Sequence, residues 1–168
     1  MLEIARERLG EWGKLIEADV IEMDLQETFD MAVSSGGVWV INERCNRTDL
    51  GTHDSDIDQD INGLANVAKH LRQGGLLLLS IQGDQKKYDK QLTPEIIYSQ
   101  DTKKLAEDDE MELIEKSYFF KKDGEIVAQQ KLRLKFIKEW KKEEILDQAG
   151  FKFLGVHDSQ KFHIYIKS

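Results

Sequence analysis

The chain has 168 residues, the size of one domain with a single hydrophobic core. Hydrophobic residues make up 40% of it and charged residues 33%, and no apolar run approaches the ~20 residues that a membrane-spanning helix needs. The net charge of -8 opposes binding to a phosphate backbone. We therefore expect neither nucleic acid nor membrane as a partner. A single cysteine, Cys45, and the lack of a secretory signal predict a cytoplasmic location.

The first third of the chain predicts a helix followed by two strands. Apolar residues at helical spacing predict an amphipathic helix over residues 1–9, which two glycines close. Residues 14–20 predict a short strand that ends at an acidic side chain. Residues 29–33 predict a second strand, which runs directly into Ser34-Ser35-Gly36-Gly37. Parallel strands that end in small or polar residues form a ligand crevice at their carboxyl ends.

The middle of the chain predicts a loop, a helix and a central strand. Residues 42–60 are polar and predict a loop. Apolar residues from Ile57 to Leu71 fall on one helical face, and Gly74-Gly75 is expected to end that helix. Residues 76–81 are continuously apolar, which predicts a parallel strand covered on both faces.

The following segment predicts an insertion over residues 84–136. Its first part, residues 84–110, is polar and contains the sole proline, so a mobile loop is expected there. Residues 111–120 and 126–136 predict a hairpin joined through Asp123-Gly124. Apolar side chains alternate along the second strand, which predicts a core face or a dimer surface.

The chain ends in a predicted helix over residues 140–149 and a pair of strands over residues 151–156 and 162–166. The four histidines have no spacing that makes a metal site, so no metal is expected. Phosphate-binding and nucleophile-elbow motifs are also lacking from the sequence.

Three local patterns occur in an order that is typical of one family. They are Met1-Leu2-x-x-Ala5-Arg6, then Phe29-Asp30-x-x-Val33 with Leu71-x-x-Gly74-Gly75-x-Leu77, and finally Glu143-Glu144-Ile145-Leu146-x-x-Ala149-Gly150-Phe151. Each pattern alone is also explained by helix capping. In this order and spacing, across nearly the whole chain, they resemble the class I S-adenosylmethionine-dependent methyltransferases.

The resemblance implies a fold, a cofactor and a reaction. The fold is a single α/β domain over residues 1–168, with a Rossmann-like methyltransferase sheet, an added antiparallel hairpin and a C-terminal antiparallel strand pair. The opening pattern matches the middle of a family motif, so the first two strands and the Gly-rich cofactor loop are expected to be missing. The cofactor is S-adenosylmethionine, with S-adenosylhomocysteine as product, and the acceptor is a small molecule.

The resemblance also implies how the adenine would bind. The Asp19 carboxylate would accept a hydrogen bond from the adenine amino group while the Val20 amide reaches a ring nitrogen. The alternative for Asp19 is that it caps the turn over residues 21–24. Met1 would pack against the adenine face, with a frayed first residue as the alternative.

Ser34, Ser35 and Gly36 correspond to the crevice segment, where the backbone approaches the methionine portion of the cofactor. Small residues permit that approach, and a tight turn is the alternative. For this site, the ends of residues 18–19 and 33–34 must lie side by side on one rim.

No catalytic base is predicted. Side chains expected near the acceptor are Trp39, Glu43, His53, Tyr88 and Tyr98. Methyl transfer is an in-line displacement limited by positioning, so a dedicated base is optional.

Two alternatives to the enzyme remain. One is a non-catalytic methyltransferase-like remnant that serves as a binding or oligomerisation module. The other, half of a nicotinamide-dependent reductase, lacks a Tyr-x-x-x-Lys pair and ranks below it. The missing strands would leave a bare sheet edge, which a longer native chain, direct pairing of the remaining strands or a second chain would cover. A homodimer through this edge or through the hairpin is therefore expected.

Overall fold

The computed structural model describes residues 2–44, 47–53, 56–83 and 87–168. The helices are α1 (Leu2–Leu9), followed by a 3-10 turn (Gly10–Trp12), α2 (Ile57–Lys69) and α3 (Glu139–Gln148). The strands are β1 (Phe29–Ser34), β2 (Val40–Arg44), β3 (Arg47–His53), β4 (Leu71–Gln82), β5 (Tyr88–Gln91), β6 (Ile96–Glu107), β7 (Met111–Lys122), β8 (Glu125–Ile137), β9 (Phe151–Val156) and β10 (Phe162–Lys167).

The described strands form one mixed sheet centred on β4. Its order is β5-β6-β7-β8-β3-β2-β4-β10-β9, and β1 also pairs with β4. Both β1 and β2 run parallel to β4, whereas β10 and β9 add an antiparallel pair. This confirms the predicted α/β class, the central apolar strand and the closing strand pair.

The core lies where α2 and α3 pack on the sheet. Leu77 and Leu79 of β4 meet Leu64 of α2, Ile145 of α3 and Tyr165 of β10, and all are at most 2% exposed. Each of these side chains gains about 2 kcal/mol from leaving water. The 3.6-residue spacing that predicts α2 is therefore the spacing that this core requires.

Residues 14–20 do not form the predicted strand. They are irregular. Asn66 of α2 donates to the carbonyl oxygen of Val20, at the end of this segment, and to that of Met23 in the following turn, both at 2.9 Å. Val20 and Met23 also pack against the core. No described strand lies beside this segment to continue a ladder, so side-chain hydrogen bonds replace strand pairing.

The loop predicted over residues 42–60 is also wrong. Its first part forms the antiparallel pair β2 and β3, and α2 begins at Ile57. The charged residues that indicate a loop neutralise one another inside the sheet. Arg44 pairs with Glu112, and Arg47 lies 3.0 Å from Asp49, which is fully buried. Burial raises the pKa of Asp49, the two arginines oppose that rise, and β3 persists because the charges are paired.

Gly74-Gly75 does not end α2. The helix stops at Lys69, where the His70 ring lies 2.8 Å from the carbonyl oxygen of Asn66. The glycines lie inside β4 and create an irregularity, because the pairing with β1 jumps from Leu71 to Leu76. Gly74 has a φ of 73°, and a Cβ on Gly75 would lie 2.9 Å from the backbone oxygen of Arg72.

Residues 84–110 are wrongly predicted as a loop. From Tyr88 onwards they contain β5 and β6, and β6 pairs with β7 along nearly its whole length. The β7–β8 hairpin is confirmed, with positive φ angles of 51° at Asp123 and 84° at Gly124. Treating residues 84–136 as a separate insertion or lid stays a prediction.

We expect His163 to destabilise the protein in acid. Burial, together with the nearby Lys142 ammonium, lowers its pKa from 6.5 to about 4. The unfolded chain therefore binds a proton that the folded chain rejects, so stability present above pH 6.5 is lost as the pH falls towards 4. The loss is at most about 3 kcal/mol. Urea unfolding of His163→Phe from pH 7 to 4 should show a shallower decline than the parent, while the exposed His157→Phe should match the parent. Equal slopes in all three proteins would contradict this.

We expect Gly63→Ala to destabilise the protein through Trp39. A Cβ on Gly63, in α2, would lie 2.9 Å from the Trp39 ring, which is 3% exposed. The helix gains about 1 kcal/mol from alanine, whereas overpacking costs about 1–3 kcal/mol. Thermal unfolding should show a net loss of about 1 kcal/mol, with altered Trp39 fluorescence. Gly83→Ala, whose Cβ meets nothing within 4 Å, is the control. A more stable Gly63→Ala would refute the contact.

Candidate functional site

The carboxyl end of β1 opens into a cleft. Ser34 donates from its hydroxyl to the carbonyl oxygen of Trp39 at 2.6 Å, and the Gly36 amide donates to Ser80 at 3.1 Å. These bonds fix the chain as it leaves the sheet. The strand-end cleft, about 360 Å³, is lined by Val20, Ala32, Val33, Ser34, Ser35, Gly37, Val38, Trp39, Val67 and Leu77.

A second space adjoins the first around the segment that precedes β1. This turn cleft, about 390 Å³, is lined by Ala18, Asp19, Val20, Ile21, Val38, Trp39, Thr52, His53, Gln59 and Asp60. Val20, Val38 and Trp39 line both clefts. Asp19 and Ser34 therefore lie at neighbouring clefts that share one wall, although residues 14–20 are irregular.

Asp19 caps the turn over residues 21–24, the role that the sequence analysis gives as the alternative to adenine binding. Its Oδ1 accepts from the Ile21 amide at 2.8 Å, and its carbonyl oxygen accepts from the Met23 amide at 2.8 Å. The Asp19 Oδ2 has no such bond within the described parts of the chain and lies on an exposed side chain. The turn thus fixes one carboxylate oxygen through the Ile21 amide, and the adenine role of Asp19 stays a prediction. Met1 lies outside the described residues.

A third space lies between the crevice segment and the antiparallel part of the sheet. This sheet cavity, about 150 Å³, is lined by Gly36, Gly37, Val38, Val40, Gly51, Thr52, His53, Gln82, Lys116, Tyr118, Leu132, Leu134 and Phe136. Gly36, with a φ of 65°, belongs to it rather than to the strand-end cleft. A Cβ on Gly51 would lie 3.0 Å from both Val40 and Phe136, so this glycine lets the strands approach.

Two residues of the sheet cavity were missed by the sequence analysis. The Lys116 ammonium lies 5.1 Å from the centre of the Tyr118 ring. Burial lowers the pKa of Lys116 and raises the pKa of Tyr118. Alternation along residues 111–120 places both on the face that carries Leu132 and Leu134, so the hairpin pattern contained the signal.

Of the five residues predicted near the acceptor, His53 fits best. It lines both the turn cleft and the sheet cavity. Trp39 is buried and shares a wall of the clefts, whereas Glu43 is exposed and lines none of the three spaces. Tyr88 and Tyr98 also lie outside the three spaces. Their ring centres are 5.8 Å apart, and the ring centre of Tyr98 is 6.2 Å from that of Tyr118, which lines the sheet cavity. Burial raises the pKa of Tyr98 to about 12.

Buried polar contacts connect these spaces. Trp39 donates from its indole nitrogen to Asp60 at 2.9 Å, and Thr52 donates to the same oxygen at 2.8 Å. Lys135 of β8 lies 2.8 Å from the other Asp60 oxygen. Asp60 and Lys135 are both 2% exposed.

Among the described residues, no group of three or more histidine, cysteine, aspartate or glutamate side chains is arranged to hold a metal ion. The same residues include no helix with the length and hydropathy to cross a membrane.

Neither a family model nor a curated protein matches the chain. Solved structures do match it. They include CalS10, an amino pentose methyltransferase from Micromonospora echinaspora involved in calicheamicin biosynthesis, at 16% identity and a TM-score of 0.67, over 99% of this chain and 70% of that one. DesVI from Streptomyces venezuelae matches at 14% identity and a TM-score of 0.59, over 99% of this chain and 70% of that one. KedS8, a sugar N-methyltransferase from a Streptoalloteichus species, matches at 14% identity and a TM-score of 0.61, over 98% of this chain and 66% of that one.

At this level of identity the likeness is one of fold, and it extends over almost all of the chain. It agrees with the mixed sheet and with the clefts at the end of β1. That the first two strands of the family are missing stays a prediction. The chain has the fold of the class I S-adenosylmethionine-dependent methyltransferases.

Proposed function

We propose that the protein transfers a methyl group from S-adenosylmethionine to a small-molecule acceptor. The observation that carries this proposal is the position of Val38, which lines the strand-end cleft, the turn cleft and the sheet cavity together. A cofactor in the two clefts and an acceptor in the sheet cavity would therefore both lie next to Val38. Such proximity is what an in-line displacement requires.

The residues of the two clefts fit the cofactor chemically. Asp19 offers a carboxylate oxygen to the adenine amino group beside the Val20 amide, while Val38 and Trp39 provide apolar surface. Ser34 and Ser35 of the strand-end cleft are proposed to bind the methionine portion, together with Gly36, which lines the adjoining sheet cavity. Met1 is proposed to pack on the adenine. The cofactor supplies the electrophilic methyl group; these residues bind and orient it.

The acceptor is proposed to be of sugar size. CalS10 is an amino pentose methyltransferase and KedS8 a sugar N-methyltransferase. In this chain the sheet cavity offers the aromatic faces of Tyr118 and Phe136 together with the polar groups of His53 and Lys116. Rings with one apolar face and polar substituents match such a wall. His53 and Lys116 would orient the acceptor, and no catalytic base is assigned.

Calorimetric titration with S-adenosylmethionine and S-adenosylhomocysteine tests the cofactor, and transfer of a labelled methyl group to amino sugars tests the acceptor. Binding of both cofactor forms is expected. Failure of both to bind would leave the alternative, a non-catalytic methyltransferase-like module that binds or oligomerises.

Asp19→Asn should weaken binding of S-adenosylhomocysteine. Asparagine keeps an oxygen for the Ile21 amide, but its nitrogen then faces the adenine amino group, so a donor meets a donor. We expect the Kd to rise about tenfold, with the melting temperature unchanged. Asp24→Asn is the matched control, since Asp24 caps its own turn through the Gln26 amide and does not line either cleft. Equal affinity in both variants would remove Asp19 from the site.

Leu132→Trp should block the acceptor while sparing the cofactor. Leu132 lines the sheet cavity and neither cleft, so the larger ring would occupy acceptor volume alone. Methyl transfer is expected to fall at least about tenfold with an unchanged Kd for S-adenosylhomocysteine. Ile126→Trp, at an exposed position of the same strand, is the control. Unchanged transfer in Leu132→Trp would place the acceptor elsewhere.

A homodimer and a cytoplasmic location remain proposals. The dimer is supported by β1, whose outer edge pairs with none of the described strands and whose Met31 and Val33 are 47% and 55% exposed. Phe29 also lines an apolar groove of about 570 Å³ with Leu15 and Ile16. Sedimentation velocity distinguishes a dimer from a monomer.

A further inference from the structure

The Asp60 carboxylate joins parts of the chain that are far apart in sequence. It lies in the first turns of α2, and its partners come from the segment after β1, from β3 and from β8. Its Oδ1 receives the Trp39 indole and the Thr52 hydroxyl, while its Oδ2 faces the Lys135 ammonium. β3 and β8, which line the sheet cavity, therefore both contact the Asp60 carboxylate, which also binds Trp39 of the two clefts.

The partners of Asp60 reach both kinds of space. Trp39 lines the strand-end cleft and the turn cleft, and its carbonyl oxygen accepts from Ser34. Lys135 is flanked along β8 by Leu134 and Phe136, whose side chains line the sheet cavity. Side chains alternate along a strand, so Lys135 points away from that cavity and towards α2. Lys135 itself lines none of the three spaces.

We propose that Asp60 and Lys135 are positioning residues: their ion pair fixes Trp39 and the crevice segment relative to the β3–β8 wall, and so sets the distance between cofactor and acceptor. A surface pair would do this poorly, because water and mobile side chains weaken it. This pair is 2% exposed at both ends, and removing one partner of a buried ion pair is strongly destabilising. Displacing the β3–β8 wall therefore disturbs Trp39 and the crevice segment, and the reverse also holds.

The test is the environment of Trp39 after a change at Lys135. The other tryptophans, Trp12 and Trp140, are 95% and 53% exposed, so replacing both by phenylalanine isolates the fluorescence of Trp39. In that background we expect Lys135→Met to raise the acrylamide quenching constant of Trp39 at least about threefold, because the Asp60 carboxylate loses its cation and shifts away from the indole.

Lys142→Met is the matched control. Lys142 is also buried, at 1% exposure, and bonds to Thr48 at the opposite end of β3 from Thr52. Lys142→Met removes a buried lysine but leaves the contacts of Asp60 with Trp39, Thr52 and Lys135 intact, so the quenching constant of Trp39 should stay at the parent value. Equal quenching in Lys135→Met and Lys142→Met would overturn the proposal.

A double variant keeps the test valid if Lys135→Met does not fold. Asp60→Asn combined with Lys135→Met removes both charges and leaves an amide oxygen that accepts from Trp39 and Thr52. We expect this pair to restore the parent quenching constant. Quenching that stays high, as in a generally loosened core, would also overturn the proposal.

Cofactor affinity gives a second readout. The roles of the clefts rest on the proposed function, whereas Trp39 fluorescence does not depend on it. We expect the Kd for S-adenosylhomocysteine to rise about tenfold in Lys135→Met and to recover in the double variant. If the parent does not bind S-adenosylhomocysteine, the proposed function fails, and the quenching comparison still decides whether Asp60 couples the two elements.

Discussion

The crevice exists because one edge of β4 is shared by two strands in succession. β1 pairs with this edge up to Ser34, opposite Leu79, and β2 takes over at Ile41, opposite Ile81. The opposite edge is occupied by β10. Residues 35–39 therefore have no place in the ladder and must leave the sheet between the two strands. Val38, which borders all three spaces, belongs to this short excursion.

Features fixed by neighbouring residues could be predicted from the sequence. The spacing of Ile57, Ile61 and Leu64 indicates α2, although the same spacing continues to Leu71, which lies in β4. Asp123-Gly124 indicates the β7–β8 turn, because local geometry alone demands this pattern. Features fixed by distant partners could not. β3 carries a buried aspartate that lies beside Arg47 and near Arg44. In β4, Gly74 has a positive φ and Gly75 leaves no room for a Cβ, and no local signal separates this pair from a helix cap.

The candidate site divides in the same way. Asp19, Val20, Ser34 and Ser35 follow from the family pattern, and they lie at adjoining clefts even though residues 14–20 are not a strand. Lys116 and Tyr118 belong to no family pattern. Alternation assigns them to one face of β7, but their place in the sheet cavity depends on the register of β7 against β8 and of β8 against β3. Sequence reasoning therefore grouped the residues predicted for the cofactor better than those around the sheet cavity, and their binding roles stay predictions.

The wall of the sheet cavity comes largely from β3, β7 and β8, whereas the clefts come from residues 18–21, the end of β1 and α2. Under the proposed function, substitutions on the hairpin would alter which acceptors fit without altering the clefts proposed for the cofactor. Such a division would let the acceptor range change during evolution while the methyl donor stays the same. The proposed role of Asp60 would limit that freedom, because its partners come from both parts.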